Sequence, residues 1–230
     1  MEPMKSNPKR GVLYIVWGDR ADEALERSIA SVSRHHPELP VHIHRLERGS
    51  LRNKSIMAAI TPFETTLYLD ADTIVMGNLD FAFEKSERNG LACCICEAPW
   101  MRRYGNELGD SVEYNTGVLF FTNKAIEVFK RWPEMIEHSS ESKWSYATSP
   151  NVIRGMPFDD QAGFGRAIES CEFNPYVLPV NYTLRADLFH QSAFLPIKVW
   201  HGYSDIPDGL EEENRACEKG LTQILYKNLP

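Results

Sequence analysis

No apolar run in this 230-residue chain approaches the roughly 20 residues that a membrane-spanning helix needs. The leading segment, Met1 to Arg10, also lacks the apolar core of a secretory signal. A cytoplasmic protein is expected, with a flexible leader over residues 1–10 and a single domain over 11–230. Positive charge is scarce as well: 25 Lys and Arg stand against 32 Asp and Glu, a net charge of -7. Polyanions are held by clustered Lys and Arg, so nucleic acid is not an expected partner. A nucleotide stays within reach, because one metal ion and a few local cations suffice for a diphosphate. The five cysteines are odd in number, and Cys93, Cys94 and Cys96 crowd one apolar run rather than forming the two spaced ligand pairs of a zinc site. They read as small buried apolar side chains. Internal repeats and linkers are absent too, which fits one domain of moderate size.

What is present suffices for a core: 43% of residues are apolar and 11% aromatic, material for an α/β domain whose sheet is covered on both faces. The most informative stretch is Thr65-Thr66-Leu67-Tyr68-Leu69-Asp70-Ala71-Asp72, an apolar β-type run ending in two carboxylates one residue apart. In a strand, residues i and i+2 share a side, so Asp70 and Asp72 converge on one ion if extended geometry persists past Leu69. Like charges this close resist desolvation without a counter-ion, and hard oxygen ligands suit Mg²⁺ or Mn²⁺, which bridges to phosphate oxygens. Asp after a strand is also a common turn former. An EF-hand is excluded, since Ile74 and Val75 occupy the places of an oxygen ligand and a glycine. A phosphatase of the haloacid dehalogenase type would need a later acidic pair closing a second apolar strand. Asp159-Asp160 instead follows Arg154-Gly155-Met156-Pro157-Phe158.

The order of elements predicts a parallel sheet with right-handed crossovers. Val12 to Val16 reads as a buried strand, Ala21 to Arg34 as a helix, Val41 to Leu46 as a strand, and Asn53 to Ile60 as a short helix before the Asp-bearing strand. His42 and His44 fit a half-exposed strand face. Downstream come a strand over Leu91 to Cys96, a turn at Asn115-Thr116-Gly117-Val118, and a helix over Lys124 to Trp132 bounded by Pro133. Residues 138–157 are Ser-rich and aperiodic and read as a mobile loop. Asp159 or Asp160 caps a helix carrying Phe164 and Ile168. Late strands are expected over Tyr176 to Val180 and Lys198 to His201, and an acidic terminal helix should turn Cys217, Leu221, Ile224 and Leu225 inward.

Five short motifs occur in a telling order: Leu67 to Val75, Tyr114 to Val118, Asp160-Gln161, Asn181 to Arg185, and Trp200-His201-Gly202. In these the chain resembles the GT-A glycosyltransferases, most closely glycosyltransferase family 8 and related small nucleotide-diphospho-sugar transferases. The resemblance implies a single GT-A domain with a mostly parallel central sheet flanked by helices. It implies a metal-dependent enzyme that moves a sugar from a nucleotide-diphosphate sugar, UDP-sugars favoured, to a hydroxyl acceptor with retention of configuration. Asp70, Asp72 and His201 would hold Mn²⁺ or Mg²⁺, with Asp70 also near the donor ribose. Asn115 would contact the donor sugar, Asp160 its hydroxyls, and Gln161 would lie opposite the leaving group. Lys54 would serve the donor, and the base would sit near Trp17 at the carboxyl end of the first strand.

One departure concerns the diphosphate. The family follows its metal His with Gly and a phosphate-gripping Lys, whereas His201-Gly202-Tyr203-Ser204-Asp205 has no nearby Lys. Lys54, Arg185 or Lys143 must then serve. Retention is an implication of the resemblance alone, since an inverting enzyme needs only a carboxylate base, and Asp159, Asp160 or Glu97 offers one. A sugar nucleotidyltransferase would need a Gly-rich, basic loop where Trp17-Gly18-Asp19-Arg20 stands. A non-catalytic, metal-dependent carbohydrate-binding protein is the rival from another class. It would show no donor hydrolysis.

Overall fold

The computed structural model describes residues 9–19, 21–96, 103–104, 107–108, 112–137, 142–146, 149–156, 160–185, 192–220 and 224–227. Glu97, Asp159, Leu221 and the side chain of Lys143 lie outside the described residues. The chain opens with β1 (Arg10–Trp17), α1 (Asp22–His35) and β2 (Val41–Leu46). A 3₁₀ segment, Leu51–Ile56, then runs into one α-helical turn, α2 (Met57–Ile60). β3 (Thr65–Leu69), β4 (Thr73–Val75), α3 (Asp80–Asn89) and β5 (Leu91–Ile95) follow. Two short strands, β6 (Arg103–Tyr104) and β7 (Glu107–Leu108), precede β8 (Tyr114–Thr122) and α4 (Ile126–Glu137). Next come the antiparallel pair β9 (Ser142–Tyr146) and β10 (Ser149–Met156), α5 (Asp160–Ser170), β11 (Tyr176–Leu178) and β12 (Leu184–Arg185). The last elements are β13 (Ser192–Phe194), β14 (Val199–His201), α6 (Leu210–Lys219) and β15 (Leu225–Lys227).

The central sheet has six strands in the order β11-β5-β8-β3-β1-β2. β1 runs parallel to β2 and β3, and β11 parallel to β5, while β8 is antiparallel to both its neighbours. Because alternate strand residues point to opposite faces, each strand feeds two cores. Val12, Tyr14, Val16, Leu67 and Leu69 pack with Leu25 and Val32 of α1 and with Ala82 and Phe83 of α3. Leu13, Ile15 and Tyr68 pack on the other face with Trp132 and Ile136 of α4 and Phe164 of α5. Gly163 of α5 allows α4 to close in, since a Cβ there would stand 2.9 Å from the Ile136 backbone. Cys93 and Cys94 are buried, free and on opposite faces, as small apolar residues should be.

A second sheet, β12-β14-β4, sits beside the first, with Trp200, Leu184, Ile197 and Leu210 in its own core. Its antiparallel register pairs His201 with Thr73 and Trp200 with Ile74, which carries the late strand to the loop after β3. No helix among the described residues is long and apolar enough to cross a membrane.

Several expectations are corrected here. Pro133 lies inside α4 rather than at its end. The proline removes one backbone donor, but Trp132 before it and Ile136 after it are both buried, and that shared face keeps the helix going. Within the expected loop, Ser142–Tyr146 and Ser149–Met156 form an antiparallel strand pair rather than irregular chain. The terminal helix stops at Lys219, and Leu225 instead begins a strand paired with β13. Asn115 lies within β8 rather than in a turn.

Candidate metal and diphosphate site

The two carboxylates converge by a different route from the expected one. β3 ends at Leu69, and Asp70 to Asp72 form a turn rather than extended chain. Asp70 N–H donates to Gly117 O at 2.8 Å, and the Asp72 carbonyl accepts from Gly202 N–H at 2.7 Å. Inside the turn, Thr73 Oγ1 donates to Asp70 O at 2.7 Å. Behind it runs a buried hydroxyl chain: Thr73 Oγ1 lies 3.1 Å from Ser28 Oγ, which lies 2.7 Å from Tyr14 Oη. Ser31 of α1 also accepts from Val75 N–H at 2.8 Å. Helix α1 is thereby bolted to the far side of the turn, fixing where the carboxylates stand.

Asp70, Asp72 and His201 each offer one ligand atom, and these atoms all lie within 4.8 Å of one another. Ligands sharing one Mg²⁺ at about 2.1 Å stand up to roughly 4.2 Å apart, so the three groups are close to that spacing. His201 is buried, with Nδ1 2.9 Å from Thr183 Oγ1 and Nε2 3.6 Å from Asp72 Oδ1. Thr183 therefore orients the ring and turns Nε2 toward the carboxylates. Burial pushes the Asp72 carboxyl upward, but the His201 ring and then Arg185 outweigh it and hold it below its ordinary range. Two carboxylates and an imidazole suit Mn²⁺ or Mg²⁺ in donor chemistry.

Asp70 has further partners. Lys54 Nζ donates to its Oδ2 at 2.7 Å and Tyr68 Oη to its Oδ1 at 2.8 Å. A carboxylate oxygen has two lone pairs, so each retains one for an ion. Lys54 is buried and its ammonium also stands 3.5 Å from Asp160 Oδ2. Burial works against that charge, but Asp160 and then Asp70 hold the Lys54 pKa above its ordinary value. Asp160, the first residue of α5, accepts from Thr116 Oγ1 and its carbonyl accepts from Trp132 Nε1 at 2.9 Å. Gln161 Nε2 lies 3.5 Å from Cys96 Sγ.

The structure thus gathers Asp70, Asp72, His201, Lys54 and Asp160, with Arg185 in the field of Asp72. Gln161 adjoins them in sequence. Asn115 is fully buried, its Oδ1 accepting from Gly117 N–H at 2.9 Å. Trp17 ends β1 and packs its ring over Gly49. Thr116, Thr183 and Tyr68 lie inside the sequence motifs, but their hydrogen bonds to Asp160, His201 and Asp70 follow from the fold alone. At Gly117, a Cβ would collide with His201 Cε1 and stand 2.7 Å from Asp70 Oδ2, so the absent side chain makes room for the cluster itself. Gly117→Ala should weaken Mn²⁺ binding at least about tenfold, the scale of losing a ligand's support. Calorimetric titration on a variant with wild-type circular dichroism checks this, and unchanged affinity would mean that His201 can move without loss.

No known protein family matches the chain, and neither does any curated protein sequence. Solved structures do match. The apo glycosyltransferase GlyE of Streptococcus pneumoniae TIGR4 has a TM-score of 0.57 at 16% identity, over 90% of this chain and 59% of GlyE. Mouse xyloside xylosyltransferase 1 in its apo form has a TM-score of 0.56 at 13% identity, over 86% of this chain and 100% of that one. LgtC, a galactosyltransferase solved with donor and acceptor sugar analogues, has 0.51 at 16% identity, over 92% and 96%. This chain therefore spans 59% of the GlyE chain but nearly all of the other two. The architecture they share with it is the GT-A fold.

Proposed function

We propose that this GT-A domain is a metal-dependent glycosyltransferase, moving a sugar from a nucleotide-diphosphate sugar, with a UDP-sugar preferred, to a hydroxyl acceptor with retention. The observation that carries the reading is the convergence of Asp70, Asp72 and His201 within 4.8 Å beside buried Lys54 and Asp160. It occurs past the carboxyl end of β3, where open α/β sheets bind ligands. A divalent ion held there supplies positive charge to the departing diphosphate.

The chain's own residues then divide the work. Asp70, Asp72 and His201 hold the ion, and Thr183 sets the imidazole's orientation. Lys54 ties Asp70 to Asp160 through ion pairs to both carboxylates. Arg185 adds positive charge beside Asp72, where the usual lysine after the histidine is missing. Asp160 binds donor hydroxyls, and the Gln161 carbonyl faces positive charge developing at the anomeric carbon. Asn115 supports the backbone under the cluster, and Trp17 marks the nucleoside end of the pocket.

A thermal-shift screen of nucleoside diphosphates with and without Mn²⁺ tests the reading, because a ligand at a hundredfold its Kd stabilises by about 2.7 kcal/mol. Stabilisation that EDTA removes is expected, and none with any nucleotide would overturn it. The two residues opening α5 separate by kinetics. Gln161→Ala should lower kcat far more than donor affinity, because its interaction grows as charge develops. Asp160→Ala should damage both, since it binds ground and transition states alike. Wild-type kcat in Gln161→Ala would remove that residue from the chemistry.

A further inference from the structure

We infer that Tyr203 is the stacking wall for the nucleobase of the donor, an inference that rests on the sugar-transfer reading above. At 71% exposure, Tyr203 is the most exposed large apolar or aromatic side chain among the described residues. Single exposed aromatics are ordinary, but this one stands on a fixed support. Gly202 N–H before it donates to Asp72 O at 2.7 Å, and Ser204 O after it accepts from Trp200 Nε1 at 3.0 Å. Gly202 has φ 136°, a conformation that favours glycine, so the turn is built for its place beside the cluster. The ring is two residues past His201, and its hydroxyl lies in the field of Asp72 and Asp70.

The sheet order decides which part of a donor it meets. Asn115 on β8, and Asp160 and Gln161 on α5, which packs on β8, lie to one side of β3, whereas β1 lies to the other, with α1 joined to β1 through Ser28 and Tyr14 and to β2 through Asp22 and Arg45. Asp205 reaches Arg27 of α1 through an ion pair of 3.2 Å, so the 202–205 turn leans to the β1 side. A donor with its diphosphate at the cluster and its sugar toward Asp160 and Gln161 sends its nucleoside toward β1. A base offers a π-face that any aromatic ring can stack on. Tyr supplies that ring with only two side-chain torsions to freeze.

The test is calorimetric titration of the full chain in Mn²⁺ with inorganic pyrophosphate and with whichever of UDP, GDP, ADP and CDP the wild type binds tightest. Tyr203→Ala should weaken nucleotide binding about tenfold, the scale of one lost base-aromatic stack, while Tyr203→Phe keeps it. Pyrophosphate affinity should be the same in all three. Equal loss for nucleotide and pyrophosphate would place Tyr203 on the phosphates, and unchanged nucleotide affinity with a raised acceptor KM would place it on the acceptor. Either result overturns the stacking role while the sugar-transfer reading stands. A wild type that binds neither probe fails at the earlier step and takes both proposals with it.

Discussion

Asp72→Asn should cut sugar transfer by roughly three orders of magnitude while the protein folds normally. The substitution removes one ligand charge at nearly constant volume, and a bound ion's contribution to a charged transition state is about 4 kcal/mol, each 1.36 kcal/mol being tenfold in rate. Asp72 is a sharper choice than Asp70. Asp70 also accepts from Lys54 and Tyr68, so changing it disturbs the buried network as well as the ion. The Asp72 carbonyl, which takes the Gly202 N–H, is untouched by a side-chain change. Rates in saturating Mn²⁺, together with unfolding curves, separate chemistry from stability. Full activity would remove Asp72 from the ion's ligands.

Lys54→Met should destabilise the fold by about 3–5 kcal/mol, the usual consequence of removing one partner from a buried charge pair. The side chain of Lys54 is 5% exposed and that of Asp160 3%, so the carboxylate left behind has little access to water. Urea unfolding measures the loss. Mn²⁺ should recover part of it, because the ion replaces positive charge beside Asp70. The variant should therefore gain more from Mn²⁺ than the wild type does. Unchanged stability in the absence of metal would mean that Thr116 and solvent suffice for Asp160.

The features legible in the sequence are those whose cause is local. β1 and β3 announce themselves by apolar runs between polar breaks and β2 by its alternation of apolar and polar residues, and the motif order points to the fold that the solved structures share. Asp70, Asp72 and His201 were identifiable as a set, although the route by which the carboxylates meet was not: the turn depends on Gly117 and Gly202, which lie far along the chain. Helix α3 escaped notice because its buried face consists of Ala82, Phe83 and Ser86, too little apolar material for a clear period. Pro133 misled for the opposite reason, a strong local signal overridden by the burial of Trp132 and Ile136. The hydroxyls of Thr116 and Thr183 act across 44 and 18 residues of sequence, and no spacing rule reaches that far.

The central claim is that the Asp70, Asp72 and His201 cluster serves sugar transfer rather than sugar binding alone. The most direct measurement is release of nucleoside diphosphate from a panel of nucleotide sugars without acceptor, in Mn²⁺ and in EDTA, for the wild type and Asp72→Asn. The account predicts slow release from one donor in Mn²⁺, none in EDTA and none from the variant. Tight, Mn²⁺-dependent nucleotide binding with no release from any donor, with or without added sugar acceptors, would contradict it and identify a carbohydrate-binding protein.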